Sequence, residues 1–281
     1  MAITTALDCF NFQFHPSGCL NSRFSHSLPV QSYKLNLPHT RTQFPRPLAL
    51  SCLASDGNYS ATRVSVLDPS LALKKKAMDI SPELKGSSIF LVGMNSSTKT
   101  SLGKLLANAL RYYYFDSDSL VEEAAGGKSA VQSFRESDEE GFRVSETEVL
   151  KQLSSMGRLV VCAGDGAVQS STNLALLRHG ISIWIDVPLD IVAMGEDQSQ
   201  SPVSDSGYDL EVSTQLTSLY ENLRGGYSTA DATVSLQKVA YKLGYDDLNA
   251  VTTEDMTLEV LNEIEKLTRV KKMLEEAAKP F

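Results

Sequence analysis

The sequence predicts an α/β protein with a central, mostly parallel sheet flanked by helices. Two observations carry this. Short apolar runs recur and end in glycine or aspartate: Ile89–Val92 before Gly93, Tyr112–Phe115 before Asp116, and Leu159–Ala163 before Gly164. Such runs read as strands buried on both faces. Between them lie segments whose apolar residues return at helical spacing.

Taken in order, residues 55–85 read as a polar, solvated linker with the basic cluster Lys74-Lys75-Lys76, and organised structure begins at Ser87. Ile89–Val92 is the first buried strand. Leu102, Leu105, Leu106, Ala109 and Leu110 place a helix over Lys99–Leu110. Tyr112–Phe115 is an aromatic strand whose tyrosines read as sheet packing, and it runs into Asp116-Ser117-Asp118. A helical stretch from Ser129 to Met156 is interrupted by a charged turn near Asp138–Gly141. Leu159–Ala163 is the next strand, and Ser170 caps a helix reaching His179. Ile181–Val187 and Ala232–Leu236 complete the strands. Thr253 caps a long amphipathic helix carrying Met256, Val260, Leu261, Ile264, Leu267 and Leu274.

The 281-residue chain has a formal net charge of -8. An acidic chain is not drawn to nucleic acid or anionic membranes by bulk electrostatics. No apolar run approaches the roughly 20 residues of a membrane span. The ends differ. Up to about Ser55 the acidic residue is Asp8 alone, beside Arg23, Lys34, Arg41 and Arg46 in a stretch rich in Ser, Thr, Asn and Pro. That composition, with no long apolar core, predicts a chloroplast transit peptide over residues 1–54, cleaved near Cys52–Ala54, and a stromal mature protein. A plain disordered tail is the alternative. The mature part keeps Cys162 and His179 alone of its type, so no internal disulfide and no Cys/His zinc site is expected.

In parallel α/β sheets, ligands sit beyond the C-terminal ends of the strands. Gly93-Met94-Asn95-Ser96-Ser97-Thr98-Lys99-Thr100 stands there, between a strand and a helix, as a phosphate loop requires. Gly93, Lys99 and Thr100 hold their places in the G-x-x-x-x-G-K-[ST] pattern. The glycine before the lysine is Thr98. A residue with a Cβ resists the positive-φ backbone that glycine adopts, and its side chain stands where phosphate should lie.

These motifs, with those that follow, resemble shikimate kinases, P-loop enzymes of the nucleoside-monophosphate-kinase type, over residues 86–270. The likeness makes residues 86–281 a degenerate domain of that family. It implies that Thr100 and Asp116 hold Mg²⁺. It further implies that Asp118 binds a shikimate hydroxyl and acts as the nearby base, and that Arg143 in Phe142-Arg143-Val144-Ser145-Glu146 pairs with the shikimate carboxylate. Gly164-Asp165-Gly166-Ala167-Val168 stands for the family's triple-glycine element, so Gly164 and Gly166 are substrate-binding remnants. The same residues also admit structural readings: Asp116 and Asp118 as strand-end caps, Arg143 and Glu146 as a helix pair, and Lys99 as a solvated first-turn lysine.

The departures fall at working positions. Ser96 and Thr98 replace loop glycines, Asp165 replaces the middle glycine, and Asp138 replaces a glycine before the Phe-Arg element. Between Arg178 and Arg224, where the family places an arginine-rich lid, there is no Lys or Arg, and Glu196, Asp197, Asp205, Asp209 and Glu211 stand there instead. Phosphoryl transfer depends on positive charge at that place. Arg224 lies three residues before Tyr227, one fewer than in the family.

Three functions follow. The first is a non-catalytic plastid protein; the likeness to the plant shikimate-kinase-like group implies a role in chloroplast biogenesis and an unknown plastid protein partner. The second is an active Mg-ATP-dependent kinase with a changed small substrate. The third is an interaction module using the acidic 195–221 region or the C-terminal helix.

Overall fold

A computed structural model of the protein describes residues 69–196 and 208–279. Five parallel strands form one sheet in the order β2-β3-β1-β4-β5. They are β1 (Ile89–Val92), β2 (Tyr113–Asp116), β3 (Leu159–Cys162), β4 (Ile181–Asp186) and β5 (Ala232–Ser235). β1, at the centre of the order, and β3 beside it are buried at every residue. Phe90 of β1 lies level with Val161 of β3 on one side and Ser182 of β4 on the other. Continuous apolar runs suit that position because helices cover both faces of the sheet.

The connections are α2 (Ser97–Leu110) after β1, then α3 (Ser117–Ala125), α4 (Lys128–Ser137) and α5 (Glu139–Ser154) after β2. Beyond β3 come a 3-10 turn at Asp165–Val168 and α6 (Ser171–Leu177), capped by Ser170 as its sequence predicts. Helices α7 (Leu189–Glu196) and α8 (Tyr208–Tyr227) join β4 to β5, and α9 (Leu236–Leu243) leads to α10 (Thr253–Ala277). The transit-peptide expectation, and the acidic residues Asp197 and Asp205, lie outside the described residues.

The expected linker needs correction. From Pro69 to Leu84 it is a helix, α1, whose Leu73, Ala77, Ile80 and Leu84 are buried against α2 and α10. The lysine cluster sits on a helix with a core-facing stripe, and Lys76 pairs with Glu265 of α10. The organised domain therefore begins before Ser87.

Smaller differences have local causes. The predicted Ser129–Met156 stretch is two helices that meet at Asp138, whose carboxylate accepts the Gly141 N–H at 2.9 Å. The cap of α10 is Thr252 rather than Thr253. Thr252 Oγ1 accepts from Asp255 N, while the Asp255 carboxylate accepts from Thr252 N, a reciprocal capping box. Met256, Val260, Leu261 and Ile264 are buried, but Leu274 is exposed because α10 runs on past the core.

An Ile80→Ala substitution in α1 is expected to lower unfolding free energy by about 2–5 kcal/mol, the usual loss for a buried isoleucine. Chemical denaturation of the wild type and variant checks this; a solvated linker would show no change.

Candidate functional site

The exits of β1, β2 and β3 lie side by side, and the predicted site residues collect there. Gly93 leaves β1 with φ +134, and a Cβ at this position would strike the Ile185 carbonyl, so glycine is required. Ser96 is extended, and its hydroxyl accepts the Lys99 N–H at 3.2 Å, capping α2. Thr98 lies inside the first turn of that helix and is not among the residues with positive φ. The strain expected of a β-branched residue is avoided because the helix starts early, on a Ser96 cap.

Lys99 is not a solvated lysine. It is 1% exposed, and its ammonium donates to the carbonyls of Gly93 at 2.7 Å and Ala163 at 2.8 Å. Burying that charge is tolerable only with such partners. The bonds fasten the loop after β1 to the exit of β3. Met94 is held from another side: it receives the Tyr227 hydroxyl at 3.6 Å, and the Tyr227 ring stacks on Trp184 at 5.9 Å.

Thr100 and Asp116 meet around Tyr114. The Tyr114 hydroxyl donates to Asp116 Oδ2 at 3.4 Å and also interacts with the Thr100 side chain. Asp116 Oδ1 accepts the Ser119 N–H at 3.1 Å and so caps α3.

Asp118 points across the β1 and β3 exits. Its Oδ2 accepts from Asn95 Nδ2 at 2.9 Å, and its carboxylate lies against Gly164 where a Cβ would stand. Ser117 Oγ accepts the Gly164 N–H at 2.9 Å. Arg143 lies equally close to Gly166, bonds Glu146 at 2.8 Å, and packs over the Phe142 ring at 5.8 Å. The small size of Gly164 and Gly166 is what lets these two charged groups approach the backbone. Burial raises the pKa of Glu146, Arg143 draws it back, and nearby Asp118 raises it further. Asp165, in the 3-10 turn, adds to the burial that pushes up the Tyr227 phenol. Arg224 does not join this cluster; it is exposed on α8, 4.0 Å from Glu221.

Asn95, Ser96, Ser117 and Tyr114 are site residues that sequence reasoning did not assign. Ser96 carried a signal, a hydroxyl ahead of a helix start. Asn95 carried none, since its partner is supplied by another strand exit.

A family model described as shikimate kinase matches residues 95–244, more than half of the chain. The chain belongs to the shikimate kinase family. Among curated relatives, it is 64% identical over 257 residues to "Probable inactive shikimate kinase like 1, chloroplastic" of Arabidopsis thaliana, covering 90% of this chain and 88% of that one. It is 41% identical to "Shikimate kinase 2, chloroplastic" of Oryza sativa subsp. japonica, covering 78% and 74%. A shikimate kinase from Acinetobacter baumannii, solved in complex with shikimate, shares the fold with a TM-score of 0.53 and 24% identity, over 68% of this chain and 97% of that one. The sheet order and loop position are thus those of a shikimate-kinase-family member, as its motifs imply.

Two outcomes test the site geometry. Lys99→Met should cost about 2–6 kcal/mol of stability, because each of two buried carbonyls loses its donor; denaturation measures it. For Glu146, the folded carboxyl holds its proton more tightly than the unfolded one. Its stabilising contribution is complete below the ordinary glutamate range and is lost as pH rises through the raised value. Glu146→Gln should therefore show a smaller fall in unfolding midpoint between about pH 4 and about pH 7 than the wild type.

Proposed function

We infer that this chain is a non-catalytic, shikimate-kinase-like plastid protein, acting in chloroplast biogenesis rather than in phosphorylating shikimate. The observation that carries this is that both donors of Lys99 are already bonded within the protein. The Lys99 N–H, which would face a phosphate, is taken by Ser96, and the Lys99 ammonium is taken by Gly93 and Ala163. A helix N-terminus binds anions through N–H groups left without partners. With Thr98 in the helix and its side chain in place of a glycine, the residues present do not fit a nucleoside triphosphate. The absence of Lys and Arg between Arg178 and Arg224 removes the positive charge that phosphoryl transfer needs.

Support for the setting comes from relatives whose names place them in the chloroplast and from the composition of residues 1–54, which serve as the transit peptide of a stromal protein. Among the described residues no helix is long and apolar enough to cross a membrane. The scaffold acts through a plastid protein partner.

The convergence of Asp118, Arg143, Gly164 and Gly166 favours a second reading, a kinase with a changed substrate. Residues 55–281 mixed with Mg-ATP and shikimate, beside an authentic shikimate kinase, should yield no phosphorylated shikimate, and calorimetry should show no ATP binding. ATP binding without shikimate turnover would favour the second reading. Turnover near the authentic rate would overturn the proposal.

A further inference from the structure

Helix α1 has two working faces. One is buried through Leu73, Ala77, Ile80 and Leu84. The other presents Leu71, Lys74, Lys75, Met78 and Pro82, a stripe at i, i+3, i+4, i+7 and i+11, all exposed. Leu71 is 58% and Met78 70% exposed, two turns apart along one line. Among the described residues, Lys74 and Lys75 make no ion pair, while Lys85 beyond the helix end is exposed and loosely paired with Glu275 at 3.4 Å. Of the acidic residues of α1, exposed Asp79 stands one turn from Lys75 at the edge of this stripe. Glu83 is turned to Lys272 of α10 at 3.4 Å.

We propose that this face of α1 adsorbs to a bilayer carrying anionic headgroups, with Leu71 and Met78 entering the headgroup layer and Lys74, Lys75 and Lys85 meeting the lipid charges. Exposed apolar side chains lined by lysines on one helical stripe are the makeup of an interfacial helix. Pro82 and Lys85 border a cavity shared with α10, while Leu71, Lys74, Lys75 and Met78 lie outside it, which leaves that part of the helix free to lie flat on a deformable surface. The chain's net charge of -8 does not forbid this. Charges further away than the screening length of about 8 Å at physiological ionic strength contribute little to a contact. The proposal is independent of the catalytic reading and needs no membrane span.

The test is co-sedimentation of the full-length protein with vesicles of phosphatidylglycerol and phosphatidylcholine, and with vesicles of phosphatidylcholine alone. Binding to the first and not the second, weakened by salt, is expected. Lys74→Glu with Lys75→Glu should reduce the partition coefficient about tenfold or more, since each lysine near such a surface counts. Leu71→Ser with Met78→Ser should also reduce binding, with the unfolding midpoint unchanged because these side chains are exposed. No binding to either vesicle overturns the proposal and leaves the face to a protein partner. Undiminished binding by both double variants also overturns it, and assigns adsorption to another segment.

Discussion

The ammonium of Lys99 sits where the exits of β1 and β3 meet, and the geometry around it follows from that position. A buried cation must find acceptors, and here they are the carbonyls of Gly93 and Ala163. Hydrogen bonds to a charged donor contribute about 1.5–3 kcal/mol each, enough to fix two backbone segments relative to one another. With the loop pinned, Asn95 reaches Asp118, and Asp118 is set against Gly164. The residue expected to handle phosphate thus organises the architecture of its own loop.

Scaffold and chemistry are separable in this chain. The five-stranded order, the Gly93 turn and the approach of Arg143 to Gly166 make up the scaffold of this member of the shikimate kinase family. Ser96, Thr98 and Asp165 each take a regular local conformation within that fold. Ser96 becomes a cap, Thr98 a helical residue, and Asp165 part of a 3-10 turn. All three stand at the strand exits, outside the five strands of the sheet. Fold alone therefore says little about activity in such a protein.

The sheet was legible because its buried strands are unbroken apolar runs that stop at glycine or aspartate. The pair Arg143 and Glu146 was legible because a helix brings residues three apart together. Helix α1 was not, although Leu73, Ala77, Ile80 and Leu84 repeat at helical spacing. Three consecutive lysines dominate the stretch, and its burial depends on α10, almost two hundred residues on. The Asn95–Asp118 and Ser117–Gly164 contacts were equally hidden, since each joins two strand exits whose adjacency is a property of the sheet order. Helices α3 and α9 were missed because they are short, 9 and 8 residues, and each begins directly at a strand's end with no turn residue to separate the two.

The pairing of α1 with α10 has a consequence for how the chain matures. The first and last described helices of the domain cover one another, joined by Lys76–Glu265 and Lys272–Glu83. A chain emerging from a ribosome, or threaded through a membrane pore N-terminus first, exposes the apolar stripe of α1 long before α10 arrives. Closure must wait for the final residues, so the nascent domain passes through a stage with an uncovered core edge, when a chaperone has most to bind.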